Sequence, residues 1–132
     1  DLLNKLIALA NQGSGSTAAS RVATYGGTAT AGDVLTLTID GVDFEHTVVD
    51  DTSVTTAMTE MKNALNADAT FAARYVASNA AGVLTVTALR KGTGMNGTTF
   101  VAAKVGTGTF VAAGATMTGG LLLDDILPIA DA

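Results

Sequence analysis

Between Gly32 and Ala88 the hydrophobic period changes twice, from two to 3.6 and back to two. Few folds accommodate that pattern. Leu35, Leu37 and Ile39 share one face of the stretch Val34 to Asp40, and Thr36 and Thr38 take the other. This is the pattern of a half-buried strand. Asp40-Gly41 supplies the positive φ angles of a type I′ hairpin turn. The returning strand, Val42 to Val49, sets Val42, Phe44, His46 and Val48 against Asp43, Glu45 and Thr47. Asp50, Asp51, Thr52 and Ser53 then offer N-cap oxygens. A helix is predicted over about 53–67, with Val54, Met58, Met61 and Leu65 on one apolar stripe beside Ala57 and Ala64. Phe71 to Tyr75 reads as a further helical turn. Strands follow at Val76 to Ser78 and Val83 to Leu89, turned by Asn79-Ala-Ala-Gly82. In the second, Leu84, Val86 and Ala88 alternate with Thr85 and Thr87.

On either side of this unit the pattern loosens. Residues 1–12 read as an apolar helix or arm carrying Leu2, Leu3, Leu6, Ile7 and Leu9. Residues 13–28 read as a Gly/Ser-rich linker with a short strand at Arg21 to Tyr25. Further strands are expected at Thr98 to Lys104 and Thr109 to Met117, so the β-rich module spans 29–120. Residues 121–132 form a second apolar segment, whose Pro128 limits any helix. The expected class is α+β: a mainly antiparallel β module, ββαββ with extra C-terminal strands, flanked by short apolar terminal helices.

A chain of 132 residues can bury one core. Its charge works against two kinds of partner. Seven Lys and Arg are scattered through a protein of net charge −5, whereas nucleic acids and anionic membranes are held by clustered cations. No apolar run approaches the roughly 18 residues of a membrane-spanning helix. With no cysteine, disulfides and Cys-based zinc sites are excluded. The chain begins at Asp1 rather than Met and shows no signal-peptide pattern. That is read as a processed product or a fragment.

Three constellations invite a chemical reading. Gly92-Thr-Gly94-Met-Asn-Gly97 matches G-x-G-x-x-G, but a dinucleotide site needs a helix opening from that loop. Thr-Thr-Phe-Val-Ala-Ala follows instead and reads as a strand, so the glycines are assigned to a flexible hairpin loop. His46 is the only histidine and sits beside Glu45. A lone strand histidine is assigned a structural role. Asp40, Asp43, Asp50 and Asp51 are the densest acids, but their spacing matches no EF-hand loop. Turns and caps explain Asp40, Asp50 and Asp51, and Asp124-Asp125 read as a solvated edge. Asn96-Gly97-Thr98 is a glycosylation sequon, relevant only in a eukaryotic secretory setting. No catalytic, cofactor or metal residues are assigned, and the chain is expected not to be an enzyme.

Gly32-Asp-Val-Leu-Thr-Leu-Thr-Ile-Asp-Gly41, the helix ending Asn63-Ala-Leu-Asn-Ala67, the strand Gly82-Val-Leu-Thr-Val-Thr-Ala88 and the loop Lys91-Gly92…Asn96 together resemble a module of bacteriophage virion proteins. The likeness is to the inserted β-rich domain of Mu-like contractile-tail sheath proteins, and more weakly to inserted modules of flagellin and hook-associated proteins. It covers roughly Ala29 to Gly120. Sheath proteins are several times longer, with their polymerising core outside this module. The resemblance implies a structural, self-assembling subunit located in a virion, with copies of itself and other phage structural proteins as partners. A subunit of a bacterial extracellular filament or surface appendage is the alternative. A carbohydrate-binding module ranks lower, because aromatic platforms are scarce. Leu3, Leu6, Ile7, Leu122, Ile126 and Leu127 are the expected assembly contacts.

Overall fold

The computed structural model describes residues 17–49 and 53–121. They form seven antiparallel strands and two short helices, a β-rich α+β fold. The strands are β1 (Ala18–Gly26), β2 (Val34–Ile39), β3 (Val42–Thr47), β4 (Tyr75–Ala80), β5 (Val83–Lys91), β6 (Phe100–Val105) and β7 (Thr109–Ala112). The helices are α1 (Val54–Ala67) and α2 (Ala69–Ala72). One sheet has the order β4-β5-β1-β7 and the other β3-β2-β6. The terminal helices expected in 1–12 and 121–132 lie outside the described residues, apart from Leu121.

Both hairpins of the central unit form. Asp40 and Gly41 turn β2 into β3 with φ of 53° and 77°, the positive values a type I′ turn demands. Leu35, Leu37 and Ile39 are buried, as the alternation requires. On β3, Phe44 is buried, whereas Val42 beside the turn is 39% exposed. β4 and β5 turn at Ala81-Gly82, with Ala81 itself at φ 51°. Leu84, Val86 and Ala88 enter the core from β5, and Tyr75 and Ala77 enter it from β4.

α1 starts where Ser53 Oγ accepts the Thr56 N–H at 3.1 Å. Ala57, Met58, Met61 and Leu65 are buried, and α1 lies mainly against β4. Ala64, expected beside that stripe, is exposed. Asp68 ends α1 and opens α2 by accepting the Thr70 and Phe71 N–H groups at 2.9 and 3.1 Å. This fixes Phe71 edge-on to Phe44 and tilted against Tyr75, each at 5.4 Å between ring centres. Asn66 donates to the Ala77 carbonyl at 2.9 Å and accepts the Ala77 N–H at 2.8 Å. β4 is the outer strand of its sheet. This amide therefore occupies backbone groups that an edge strand otherwise offers to another chain.

The boundary between linker and module moves. β1 begins at Ala18, inside the stretch read as a 13–28 linker, and is longer than the strand expected at 21–25. It is an inner strand, paired with β5 on one side and β7 on the other. Its small residues disguise it: Ala19 and Ala23 are fully buried on its inward face. At the other end, β7 stops at Ala112, short of the expected Met117. Residues 113–121 follow β1 irregularly, with Thr118 opposite Ser20 and Leu121 opposite Thr17, and Thr116 opposite Thr99 beside β6.

The two sheets are joined near the Gly26 end of β1 by one carboxylate. Asp33 is 3% exposed and is the buried charged residue among those described. Its Oδ2 accepts the Tyr25 hydroxyl at 2.8 Å, the Thr107 hydroxyl at 3.1 Å and the Thr30 N–H at 3.3 Å. Its Oδ1 accepts the Thr107 N–H at 3.1 Å. Tyr25 belongs to β1, Asp33 immediately precedes β2, and Thr107 links β6 to β7. The Tyr25 bond is the main cause that lowers the Asp33 pKa, and its effect is partly offset by burial. Burial first, then the bond to Asp33 and its charge, pushes the Tyr25 hydroxyl up to about 12.

A carboxylate with a lowered folded pKa stabilises the fold fully above its unfolded value of about 3.9. That stabilisation is lost as pH falls through the lower folded value. Acid titration of unfolding should therefore show stability falling below about pH 4. In Tyr25→Phe that dependence should be shallower. At neutral pH the variant should lose about 1.5–3 kcal/mol in urea melts, the worth of a hydrogen bond to a charged group.

Candidate functional site: the junction where the chain meets and leaves the module

At the opposite end of β1 the first and last described residues lie side by side. Thr17 N–H donates to the Leu121 carbonyl at 3.0 Å, and Leu121 N–H returns the bond to Thr17 at 3.1 Å. The Thr17 hydroxyl donates to the Gly119 carbonyl at 2.6 Å. Three residues further along, Ser20 and Thr118 exchange backbone bonds of 2.9 and 3.2 Å. Arg21 holds the outgoing chain by donating Nε to the Thr116 carbonyl at 2.7 Å and Nη2 to the Thr118 hydroxyl at 3.1 Å.

The G-x-G-x-x-G loop closes over this pair. It makes a single 3-10 turn, Thr93–Met95, and leads into β6. Without a helix behind it there is no helix N-terminus to meet a pyrophosphate. Nor is it the free hairpin loop expected from its composition. Gly92 N–H donates to the Thr17 carbonyl at 2.9 Å, and Gly97 N–H to the Met117 carbonyl at 2.9 Å. The Asn96 amide donates to the Gly120 carbonyl and accepts the Gly120 N–H, both at 2.9 Å. Gly92 and Gly97 need their positive φ, 111° and 84°. Gly120 packs so closely on the Gly92 carbonyl that a side chain there has no room. The loop is a clasp, and its ligand is the protein's own backbone. Composition showed the glycines. The signal that could have revealed their partner was Asn96 between two of them, with a Gly-Gly pair 23 residues later at 119–120.

The expected assembly residues Leu3, Leu6, Ile7, Leu122, Ile126 and Leu127 all lie outside the described residues. What the structure provides is the origin of the two segments that carry them, a single paired strand end. Asp124-Asp125, Asp50 and Asp51 also lie outside the described residues.

The remaining candidates are placed as follows. Asp40 turns the β2–β3 hairpin and meets Arg74, whose Nη1 and Nη2 each lie 3.3 Å from Oδ2. Asp43 accepts the Thr38 hydroxyl at 2.6 Å. Among the described residues, no three His, Cys, Asp or Glu side chains converge as metal ligands would. His46 faces α1. Its Nε2 lies 3.9 Å from Glu60 Oε2, too far for a hydrogen bond, and both atoms are buried without a hydrogen-bond partner. The Tyr75 hydroxyl is buried in the same condition. Burial lowers the His46 pKa, against the opposing pull of Glu60. No helix among the described residues is long and apolar enough to cross a membrane.

The outward faces of both sheets are built of small uncharged residues along their inner strands. On the four-stranded sheet, Val76, Thr87 and Ser20 form one cross-strand row, and Ser78, Thr85 and Val22 form the next. On the other sheet Asp43 and Glu45 of β3 sit across from Thr38 and Thr36, which face Val101 and Ala103 of β6. No protein-family model and no curated protein matches the chain.

Two outcomes are expected. Asn96→Ala should speed amide exchange at Thr17, Gly120 and Leu121 with little change in the β2–β3 hairpin, and should cost about 1–3 kcal/mol globally. For His46, whose folded pKa is lowered, stability is full above the unfolded value of about 6.5 and falls as pH drops below it. Chemical denaturation at pH 7.5 and 5.5 should show that loss in the native sequence and its absence in His46→Gln.

Proposed function

We propose that this chain is a non-enzymatic structural subunit of a bacteriophage virion, tail sheath-like or tube-like, that assembles with copies of itself and with other phage structural proteins. Its working parts are the two apolar terminal segments. The β-rich module is the block that spaces and presents them. Neither nucleic acid nor membrane is a partner in this reading.

The observation that carries it is the paired junction. Thr17 and Leu121 are bonded to one another, so segments rich in Leu and Ile leave from one point. A module held at both ends by a single strand pair can be carried on a polymer without its core taking part. The likeness to inserted domains of sheath proteins gives the same arrangement. Support also comes from the polar groups. Asp33, Asp68, Asn66 and Asn96 all serve internal bonds. Repetition supplies the rest, because identical copies gain avidity from small contacts. Each Leu or Ile buried between subunits would contribute about 1.5–3 kcal/mol.

Electron microscopy of the purified protein tests the proposal. Ordered particles or filaments are expected. Removal of Asp1 to Ala10 should leave a folded module, by circular dichroism and melting, that no longer assembles. A truncated protein that builds the same particle refutes the role of the N-terminal segment. A strictly monomeric full chain, absent from any larger particle, refutes the proposal itself.

A further inference from the structure

Beside the junction lies an open groove of about 290 Å³ lined by Ala73, Arg74, Leu89, Arg90 and Met95. Its lining combines apolar side chains with two guanidinium groups. Lys91 adjoins it and is exposed. Thus three of the seven Lys and Arg of an acidic chain gather at one end of the module, against the single carboxylate of Asp40 on Arg74. The groove and the junction share a loop. Gly92 holds Thr17, Asn96 holds Gly120, and Met95 between them lines the groove.

The geometry points to one occupant, the Leu122–Asp125 segment of the same chain, docking with Asp124 and Asp125 on Arg90 and Arg74. Leu121 runs beside β1, β5 is the next strand, and β4 follows it. The rim between β5 and β4 is therefore two to three strand spacings from Leu121, about 10–14 Å. An extended residue spans about 3.3 Å. Leu121 is level with Gly92, and Leu89 pairs with Arg74 three residues back along β5, so about four to five extended residues cover the whole offset, which would put Asp124 and Asp125 within range of the two long guanidinium side chains. Residues 122–132 hold three acids and no base, so charge complementarity favours this segment over the N-terminal one, which carries Lys5. Arg90 is the anchor. Arg74 already shares Asp40 at an exposed, weak pair. Docking would fix the direction in which Ile126 and Leu127 project and lower the ordering cost of any contact they make with a neighbour. Only that last consequence rests on the proposed assembly. The docking is a property of the isolated chain.

The absence of cysteine makes the test clean. Leu89→Cys, at an exposed groove position, is combined with Leu123→Cys in the full-length chain, kept dilute and mildly oxidised. The control pairs Leu123→Cys with Val105→Cys, exposed at the opposite end of the module. The expected result is an intramolecular disulfide at position 89, formed at least fivefold faster than at 105 and at a rate independent of protein concentration. Arg90→Glu should slow it at least fivefold, and adding Asp124→Lys and Asp125→Lys should restore it. Equal rates at 89 and 105, or no effect of Arg90→Glu, would overturn the inference. So would disulfide-linked dimers whose yield rises with concentration, which make a neighbouring copy the occupant. Assembly seen by microscopy without the intramolecular bond defeats this inference alone. The bond without assembly defeats the proposed function alone.

Discussion

The carboxylate of Asp33 is the constraint on which the two-sheet arrangement rests. An ionised group is costly to bury unless its oxygens are satisfied. Here they are satisfied by Tyr25 from one sheet, by Thr107 between the sheets, and by the Thr30 amide. None of these donors is close in sequence to all the others, so the bonds tie together segments that chain order leaves apart. Gly106 belongs to the same arrangement, because a side chain at that position would collide with the carboxylate. The core of Val, Leu, Ile, Ala and Met supplies most of the driving force, but such a core tolerates alternative packings. A charge with fixed partners does not, and it sets the relation of the loop before β2 to the turn after β6.

The legible part of this fold was the part governed by period. The β2–β3 hairpin, α1 and the β4–β5 hairpin each bury the face that alternation or helical spacing assigns to them. Asp40-Gly41 turns as its backbone demands. β1 was only partly legible, since its inward residues include Ala19 and Ala23, and a Gly/Ser/Ala run looks like a linker until partners flank it. The clasp was invisible for a different reason. Asn96 and Gly120 are 24 residues apart and meet through backbone groups, which every residue has and no pattern reports. Asp33 gave no sign either. In sequence it is a turn-like Gly-Asp, and only its burial distinguishes it from Asp40 or Asp43.

The module thus has two ends with different duties. One holds the sheets together through a buried charge. The other gathers the first and last described residues, a glycine loop and three of the seven cations. Between them the outward faces of the inner strands carry Thr, Val and Ser, and the β4 edge is covered in part by Asn66. Polar residues that might have suggested chemistry are used in turns, caps and clasps.

The adjacency of Thr17 and Leu121 also determines how the module responds to force. When both termini are drawn the same way, the load passes across one strand pair and the module rides beside the load path as a side branch. When they are drawn apart, the bonds at Thr17, Leu121 and Asn96 open one after another, like a zipper, rather than shearing together as they would if the termini left from opposite ends. The core would feel tension only after the clasp had opened. A particle that shortens, stretches or twists could therefore carry such a module on its surface without spending mechanical work on it.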